Sequence, residues 1–532
     1  MMPNEDLPPA PSETLRLCWL GHLSRVASLV VLAALLLGWL ASHTEIFFAD
    51  GLRYISQAQG IERGPDSTVL KKAVDHPIYP LTIALVHRWV GGIGPQDWQF
   101  AAQLASALAG LALILPLYLS SRELFGDKVA LPACLLFLFA VPLNGHVFAD
   151  TLSESTFLLF WLLGLWAALC FFRTGRLVWL PLLVVASGLA YLTRPEGLLL
   201  PAATLATLGL SPRWVYDGLG KRGVVVLGVL ILGGSSLVGP YIVLKGGLGT
   251  KPSVARLLGK APQSAAQAVE RSKPLDPDQS AGKTHALAVK AVVKAVGEAV
   301  TWPLMALAAI GLGWLRPRDG QVRQWRLLAV IGAASFLALV RLHETGGYCS
   351  ARHAMIVSTT LIPTAAFGLC RLIGLAASLV SDQRSSAVRC AGWALSLSAL
   401  AMAQSNAMLS PVNDGFGGYK EAGHWLTERT AEGGKIVDVT GWAQFYSGRA
   451  GYTFEDLIAA PADPTARWVV VREAHLKGPW DYCGRLRSLV KGHSPVVEFQ
   501  GQTGSKPTRV LVFDRFPGRT ALGTRGESPL RR

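Results

Sequence analysis

Residues 224–244 have the sequence VVVLGVLILGGSSLVGPYIVL, which holds 21 residues and no charged side chain. A helix rises about 1.5 Å per residue, so a run of this length crosses the roughly 30 Å hydrocarbon core of a bilayer. Ten further apolar runs bring the predicted total to about eleven transmembrane helices, which makes the fold an all-α polytopic membrane protein. The predicted cores are residues 26–42, 100–119, 129–143, 157–172, 177–192, 198–210, 224–244, 300–315, 327–342, 355–375 and 391–408.

The composition points to lipid as the solvent. Hydrophobic residues make up 51% of the chain and charged residues only 16%, whereas soluble domains carry about 25% charged residues. The net charge of +15 does not indicate a nucleic-acid partner, because Lys and Arg lie mostly between apolar runs. The seven cysteines show no C-x-x-C spacing, so a cysteine-based zinc site is not expected. Cys349 and Cys483 both fall in outer segments, where they either pair or stay free.

Every second connecting segment is basic, and the positive-inside rule places these segments in the cytoplasm. The other segments then lie outside, together with nearly all residues of chemical interest. We expect a multi-pass protein of the bacterial cytoplasmic membrane, with the N-terminus inside and the C-terminus outside. The basic residues are Arg122, Lys128, Arg173, Arg176, Arg213, Lys221, Arg222, Arg316, Arg318, Arg323, Arg326, Arg384 and Arg389.

The predicted outer loop 245–299 is an exception, since it carries nine basic residues. Long loops cross a membrane largely regardless of charge, so the assignment stands. Residues 286–299 alternate charged side chains with Val and Ala, which fits either a helix along the membrane interface or a solvated basic linker.

Three regions follow from these patterns. Residues 1–21 form a cytoplasmic tail, and residues 22–408 form the transmembrane domain with outer loops 41–99 and 245–299. Residues 409–532 are water-soluble in composition and alternate helix-like with strand-like stretches, which predicts a small extracytoplasmic α/β domain. Its predicted helices are residues 418–430 and 482–490, and its predicted strands are residues 435–440, 468–473, 495–500 and 508–514.

Two groups of polar residues lie in the first outer loop. Asp50 follows the first helix among aromatic residues, with Arg53 and Tyr54 after it. Partial burial favours a raised pKa and a role as proton acceptor, but an Asp at this place also fits an ordinary helix cap. Asp75 and His76 precede Pro77 and Tyr79. This pattern fits either a functional group or the ordinary start of a helix, and taken alone it favours the helix start.

Two more groups lie in later outer segments. Asp150 and Glu154 are four residues apart and share a helical face if the helix starts early, where they can hold sugar hydroxyls or a metal. An arginine at the mouth of an apolar bundle needs an anion, and its planar guanidinium suits a phosphate. A neighbouring carboxylate of the protein is the competing explanation for such an arginine. No H-E-x-x-H spacing occurs, so no metal site and no cofactor are expected, although a divalent cation stays open. The residues of this last group are Arg194, Glu196, Arg352 and His353.

In order and topology these groups resemble the GT-C superfamily of membrane glycosyltransferases, especially the branch of protein O-mannosyltransferases and lipid A aminoarabinose transferases. The resemblance spans roughly residues 26–375, and the joint order of the motifs is more specific than any one of them. The matching pieces are Asp50 with Arg53-Tyr54, Asp75-His76-Pro77-Ile78-Tyr79-Pro80, Leu152-Ser153-Glu154, Thr193-Arg194-Pro195-Glu196-Gly197 and Arg352-His353.

The resemblance implies transfer of a sugar from a polyprenyl-phosphate donor to an acceptor hydroxyl on the outer face, with inversion. By this likeness Asp50 is the catalytic acid of the first loop, and Arg194, Arg352 and His353 face the donor phosphate. The other site residues are weaker substrate contacts. The acceptor is a glycan, a lipid or a protein. Gly51 stands where protein O-mannosyltransferases have a second acid, which argues against a protein acceptor.

Two other functions compete with glycosyl transfer. A transporter or flippase uses a similar apolar scaffold, but it places ionisable groups near the bilayer midplane and often shows internal repeats. Here the apolar cores are nearly free of charge. An inactive relative that acts as a scaffold for other envelope proteins has the same sequence pattern.

Overall fold

The computed structural model of the chain describes most residues from 11 to 517. Several predictions lie outside the described residues: both ends of the chain, most of the outer loop 245–299, and the basic residues Arg213, Lys221 and Arg318. The described ranges are 11–64, 67–212, 214–220, 222–247, 254–255, 281–317, 321–346, 349–380, 382–413, 415–429, 433–501 and 508–517.

The chain is an integral multi-pass membrane protein. Seven of the described helices are long and apolar enough to cross a membrane, and two bent pairs bring the number to nine. The Arg384–Leu409 helix buries none of its apolar window, as expected of a helix that faces lipid. The helices of this part are Pro11–His43, Pro95–Ala112, Ile114–Phe125, Asp127–Phe139, Pro142–Ala149, Glu154–Thr174, Trp179–Tyr191, Leu199–Gly209, Arg222–Gly228, Val229–Gly233, Gly234–Lys245, Ala281–Val300, Trp302–Gly313, Val322–Gly346, Met355–Ser378 and Asp382–Leu409.

All eleven predicted cores lie on helices, but they are not eleven straight spans. Trp179–Tyr191 and Leu199–Gly209 have 13 and 11 residues, too short to cross alone. Asp127–Phe139 and Pro142–Ala149 meet at 69°, where Pro142 lacks the N–H needed to continue a helix. His285–Val300 and Trp302–Gly313 meet at 96° around Thr301, whose φ is 72°.

The segment before that second bend is a helix, so the alternative of a solvated linker for residues 286–299 is wrong. Ala281–Val300 buries one face, which includes Ala288, Val292 and Val296, at helical spacing. This face packs against the Val322–Gly346 helix and the turn Ala351–Ala354. The turn carries Arg352, so the buried face helps to position that arginine.

The predicted outer loop 41–99, which keeps the name first outer loop below, contains three helices, Asp50–Arg63, Ser67–Lys72 and Ile78–Val90. The side chain of Lys245, at the end of a transmembrane helix, donates hydrogen bonds to the carbonyls of Leu70 and Lys71, each at 3.1 Å. A lysine bound to the last carbonyls of a helix offsets its negative end. The short helix is thereby tied to the transmembrane domain.

The C-terminal region folds as a small α/β domain, as predicted. Its sheet has the strand order β2-β1-β3-β5-β4, in which β1 is parallel to β2 and β3, and β5 is antiparallel to β3 and β4. The strands are β1 Lys435–Val437, β2 Gly451–Tyr452, β3 Ala466–Arg472, β4 Pro495–Gln500 and β5 Arg509–Asp514, and the helices are Gly418–Glu428, Trp442–Ser447, Glu473–Lys477 and Asp481–Val490.

One face of this sheet packs on the first outer loop. Trp468 and Val470 of β3 share a hydrophobic core with Phe47 and Ile55. The hydroxyl of Tyr446 donates a hydrogen bond to Gln99 Oε1 at 2.6 Å across the same interface. The domain therefore rests directly on the loop that carries Asp50.

The helices Trp302–Gly313 and Met355–Ser378 approach closely through glycines, which yields a test of the packing. A Cβ on Gly368 would lie 2.2 Å from the carbonyl oxygen of Leu307, whereas a Cβ on Gly374 of the same helix meets nothing within 4 Å. We expect Gly368→Ala to destabilise the protein by about 1–3 kcal/mol through overpacking. Gly374→Ala adds the same helix propensity without the clash, so it should be neutral or stabilising. Thermal unfolding of both variants in one detergent checks this, and equal stability would contradict the close packing.

Candidate active site

Six ion pairs join the four sequence groups at one end of the transmembrane domain. The pairs run in order along alternating acids and bases, with N–O distances of 2.9, 3.2, 3.2, 3.0, 2.9 and 3.0 Å. Four carboxylates and three guanidinium groups take part, so the formal charge is 3 − 4 = −1. We call these seven residues the rim network. In order they are Asp75, Arg53, Asp50, Arg352, Glu154, Arg194 and Glu196.

Asp50 is the first residue of its helix, but its side chain does not cap that helix. The N-cap residue is Ala49, which makes no side-chain cap bond. The Asp50 carboxylate instead contacts Arg53 and Arg352, each at 3.2 Å, and keeps 27% of its surface exposed. The helix-cap alternative is therefore wrong, and the carboxylate is both paired and accessible.

Gly51 fits a tight contact behind Asp50. A Cβ on Gly51 would lie 2.6 Å from the Phe47 ring and 2.8 Å from the Thr151 side chain. The structure therefore has no room for a second acid at this position, which gives the departure from the mannosyltransferase pattern a steric cause.

Glu154 lies at the centre of the rim network. It begins the Glu154–Thr174 helix, is 2% exposed, and contacts Arg194 at 2.9 Å and Arg352 at 3.0 Å. A buried carboxylate is tolerated only where it is paired. Glu154 thus holds together two arginines from distant parts of the chain.

The two arginines differ in how far carboxylates satisfy them. Arg194 lies between Glu154 and Glu196, and its side chain is 13% exposed, so the competing carboxylate explanation holds for it. Arg352 pairs with Glu154 and Asp50 and lies 4.4 Å from the centre of the Phe48 ring. Among the described residues, its Nη1 is buried without a hydrogen-bond partner. Arg352 therefore keeps an unused donor at the site.

His353 follows Arg352 in the turn Ala351–Ala354. Its Nδ1 lies 2.9 Å from Ser350 Oγ and 3.3 Å from the Ser350 N–H. These contacts fix the ring within the turn, beside the rim network.

Asp150 is not part of the rim network, and the expectation that it shares a helical face with Glu154 is wrong. Asp150 has an extended backbone, with φ −103° and ψ 171°, before the helix begins. Its carboxylate accepts hydrogen bonds from the backbone N–H of Phe48 at 2.9 Å and of Thr151 at 2.7 Å, and from Asn413 Nδ2 at 3.0 Å. Burial raises the pKa of Asp150 to about 6. Asp150 positions the loop before Asp50.

Asp75 and His76 precede the helix Ile78–Val90, so the expected helix start is in place. Neither caps it by a side-chain bond, because the N-cap residue is Pro77. Asp75 is buried and pairs with Arg53 at 2.9 Å. The His76 ring lies 5.1 Å from the ring of Tyr191.

The two first-loop tyrosines lie behind the rim network. The Tyr54 hydroxyl is 3.1 Å from Ser153 Oγ, and the Tyr79 hydroxyl is 2.7 Å from Ser106 Oγ. Both side chains are buried, and their rings meet edge to face at 5.0 Å. Their role in the structure is support of the Asp50 helix.

Three contributors were not among the predicted site residues: Phe48, Ser153 and Asn413. Ser153 stood only in the matching piece Leu152-Ser153-Glu154, and its hydroxyl lies between Tyr54 and Arg194, 3.4 Å from Nη1 of the latter. Phe48 was visible only as one aromatic residue near Asp50. Asn413 carries no sequence signal, because its bond to Asp150 joins residues 263 positions apart.

No metal site is evident in the part of the chain that the structure describes, since no three His, Cys, Asp or Glu side chains are grouped to hold an ion. Cys349 and Cys483 are both free thiols.

Comparisons with known proteins agree with this fold. A model of the family described as dolichyl-phosphate-mannose-protein mannosyltransferase matches residues 75–241. No curated protein sequence matches the chain.

Solved structures match over most of the chain at low identity. Apo oligosaccharyltransferase from Archaeoglobus fulgidus is 13% identical with a TM-score of 0.58, over 84% of this chain and 69% of its own. ArnT from Cupriavidus metallidurans bound to undecaprenyl phosphate is 14% identical with a TM-score of 0.56, and the match covers 93% of this chain and 98% of the ArnT chain. Archaeal oligosaccharyltransferase AglB from A. fulgidus, in complex with an inhibitory peptide and a dolichol-phosphate, is 12% identical with a TM-score of 0.57. This match covers 91% of this chain and 74% of the AglB chain.

The resemblance to the GT-C superfamily is thereby confirmed: the chain has the GT-C fold, with a helical membrane domain followed by a small sheet domain.

The central position of Glu154 yields a stability prediction. Glu154→Gln leaves two partly buried arginines with one carboxylate each, so we expect a loss of about 3 kcal/mol, at the low end for breaking a buried pair. Glu196→Gln removes a carboxylate that is 36% exposed and should cost less than about 1 kcal/mol. Thermal unfolding of both variants in the same detergent checks the order. Equal losses would show that Glu154 does not hold the rim network together.

Proposed function

We propose that this chain is a membrane glycosyltransferase that moves a sugar from a polyprenyl-phosphate donor to an acceptor hydroxyl on the outer face. The observation that carries the proposal is the contact between Asp50 and Arg352, an accessible carboxylate beside an arginine with an unused donor. The polyprenyl-phosphate class is supported by the undecaprenyl phosphate and dolichol-phosphate bound to the similar ArnT and AglB structures.

In the proposed reaction the acceptor oxygen attacks the anomeric carbon of the donor sugar. The bond from that carbon to the phosphate oxygen breaks, and polyprenyl phosphate leaves with the electron pair. Asp50 accepts the proton of the acceptor hydroxyl as the new bond forms, which strengthens a weak nucleophile. A single displacement of this kind inverts the configuration at the anomeric carbon.

Arg352 is the proposed phosphate contact. Its Nη1 can donate to a phosphate oxygen without the loss of an existing bond, and a fixed guanidinium stabilises the charge that develops on the leaving group. His353 lies next to it. Arg194 is already held by two carboxylates, so we assign it the role of positioning Glu154 rather than of binding phosphate.

Donor binding at Arg352 would also change the contacts of Asp50. A phosphate at Arg352 competes with Asp50 for the same guanidinium and loosens the contact of 3.2 Å. We therefore propose that the donor binds first and frees the Asp50 carboxylate to meet the acceptor hydroxyl.

The position of the charges disfavours a transporter. In the described part of the chain, the rim network lies where helices begin or end, as Glu154 and Arg352 illustrate, and not at mid-span. Transport sites usually lie near the bilayer midplane. An inactive scaffold remains the second alternative, and only an activity assay separates it from an enzyme.

The orientation is part of the proposal. We propose that the rim network and the sheet domain lie outside the bacterial cytoplasmic membrane and that the basic segments lie inside, as the positive-inside rule requires. Alkaline phosphatase fused after Gly417 should therefore be active, and the same reporter fused after Arg316 should be inactive. Expression of both fusions is compared on immunoblots. Activity of both or of neither would refute this orientation.

The proposed function is tested with purified protein and a panel of radiolabelled polyprenyl-phosphate sugars. We expect release of free polyprenyl phosphate from one of them. Asp50→Asn keeps the shape of the side chain but removes the base, so turnover should fall by about 10²–10⁴. Donor binding should survive, because the carboxylate serves the acceptor.

The matched control is Asp97→Asn, a carboxylate in the first turn of the Pro95–Ala112 helix, which accepts a hydrogen bond from the Gly94 N–H. Its turnover should stay near that of the unmodified protein. Near-normal turnover in Asp50→Asn would remove Asp50 from the mechanism. Absence of turnover with every donor would favour the scaffold alternative.

A further inference from the structure

Arg472 ends β3 at the edge of the sheet that adjoins the Asp50–Arg63 helix. β1 and β3 are parallel, so their carboxyl ends, at Val437 and Arg472, meet at one edge. Gly441 follows β1 there, and a Cβ on it would lie 2.9 Å from Leu52 of that helix. Ligands of open α/β sheets bind outside the carboxyl ends of the parallel strands.

Arg472 also belongs to the sheet face that packs on the first outer loop. Side chains alternate along a strand, so Arg472 is on the same face as Trp468 and Val470. Its guanidinium lies 5.1 Å from the centre of the Phe416 ring. Phe416 follows closely after Asn413, which binds Asp150. Arg472 therefore lies at the joint between the sheet domain and the membrane domain.

The charge of Arg472 is uncompensated. Among the described residues no carboxylate is within ion-pair distance of it, and its Nε is buried without a hydrogen-bond partner. Arg467 of the same strand shows the ordinary arrangement, with two bonds to Asp514 at 3.0 and 2.7 Å. A partly buried guanidinium without an anion is costly, and a bidentate oxyanion is its best partner.

His475 lies three residues after Arg472, in the helix Glu473–Lys477. In the described part of the chain its Nδ1 is buried without a hydrogen-bond partner. Burial, with the charge of Arg472 as a second cause, lowers the pKa of His475 to about 4. The imidazole is therefore neutral at pH 7 and can donate one N–H to an oxyanion beside Arg472.

We propose that Arg472 and His475 form an anion-binding site for a phosphate or carboxylate group of the acceptor. The site is separate from the rim network and belongs to the sheet domain. Its assignment to the acceptor rests on the proposed function, because the edge that carries it overlies the helix of the proposed base. The anion-binding site itself does not depend on that function.

The binding test uses the full chain in detergent with inorganic phosphate as the probe and chloride to keep the ionic strength constant. A ligand that binds the folded state raises the apparent Tm. We expect Arg472→Gln to lose at least half of the phosphate-dependent shift. Arg429→Gln is the control and should keep the phosphate-dependent shift. The Arg429 guanidinium also lies over an aromatic ring, that of Trp425, at 4.1 Å. Arg429 is beside Gly433, however, at the opposite edge of the sheet.

A second arm replaces phosphate with acetate and so separates the two oxyanions. Arg472→Lys serves if Arg472→Gln does not fold, because it keeps the charge and loses the two-pronged geometry. An undiminished phosphate shift in the Arg472 variant, or equal losses in both arginine variants, would overturn the site.

Kinetics then test the link to the acceptor. In an active preparation, Arg472→Gln should raise the acceptor KM several-fold and leave the donor KM unchanged. Phosphate binding without any turnover would preserve the anion site and reject the transferase. Turnover with an unchanged acceptor KM would reject its role in acceptor binding.

Discussion

The arrangement of the rim network depends on one buried carboxylate, Glu154. It starts a transmembrane helix in an apolar setting, where an unpaired charge costs several kcal/mol. Two arginines on separate turns must therefore meet it, Arg194 at 2.9 Å and Arg352 at 3.0 Å. Each arginine then brings a further carboxylate, Glu196 or Asp50. The position of the proposed base thus follows from the need to neutralise the buried charge of Glu154.

A second joint next to Glu154 connects the rim to the sheet domain. Asp150 binds the backbone of Phe48 on one side and Asn413 on the other. Phe48 lies against the guanidinium of Arg352, and Asn413 begins the link to the sheet. The Asp150 carboxylate therefore ties the loop before Asp50 to the segment that leads into the sheet domain.

The sequence predicted what depends on local pattern and missed what depends on distant contacts. All eleven apolar cores lie on helices because burial in lipid requires a continuous apolar run. The bends at Pro142 and Thr301 change the span count without changing the run, so hydropathy did not detect them. Membership of the rim network was largely predictable from polar residues at helix ends. Their partners were not, since Asp50 and Arg352 are 302 positions apart.

Asp150 shows the same limit, because spacing alone made it a partner of Glu154. Only the extended backbone before the helix separates the two carboxylates, and that backbone is fixed by Phe48 and Asn413 from elsewhere in the chain. Spacing rules presume that the helix has already begun. The residue at which a helix begins therefore decides whether a nearby acid lies in the rim network, as Glu154 does, or supports it from outside, as Asp150 does.

The charge balance of the rim network bears on how a lipid phosphate would bind. With a formal charge of −1, the seven residues of the rim network offer no net attraction to an anion. Burial of the polyprenyl tail can supply affinity, at about 0.8 kcal/mol for each CH₂ group. The phosphate then need only exchange partners at Arg352, where one donor is unused. In the proposed reaction such a site would discriminate against soluble phosphates, which lack the tail, and would couple occupancy by the lipid to release of Asp50.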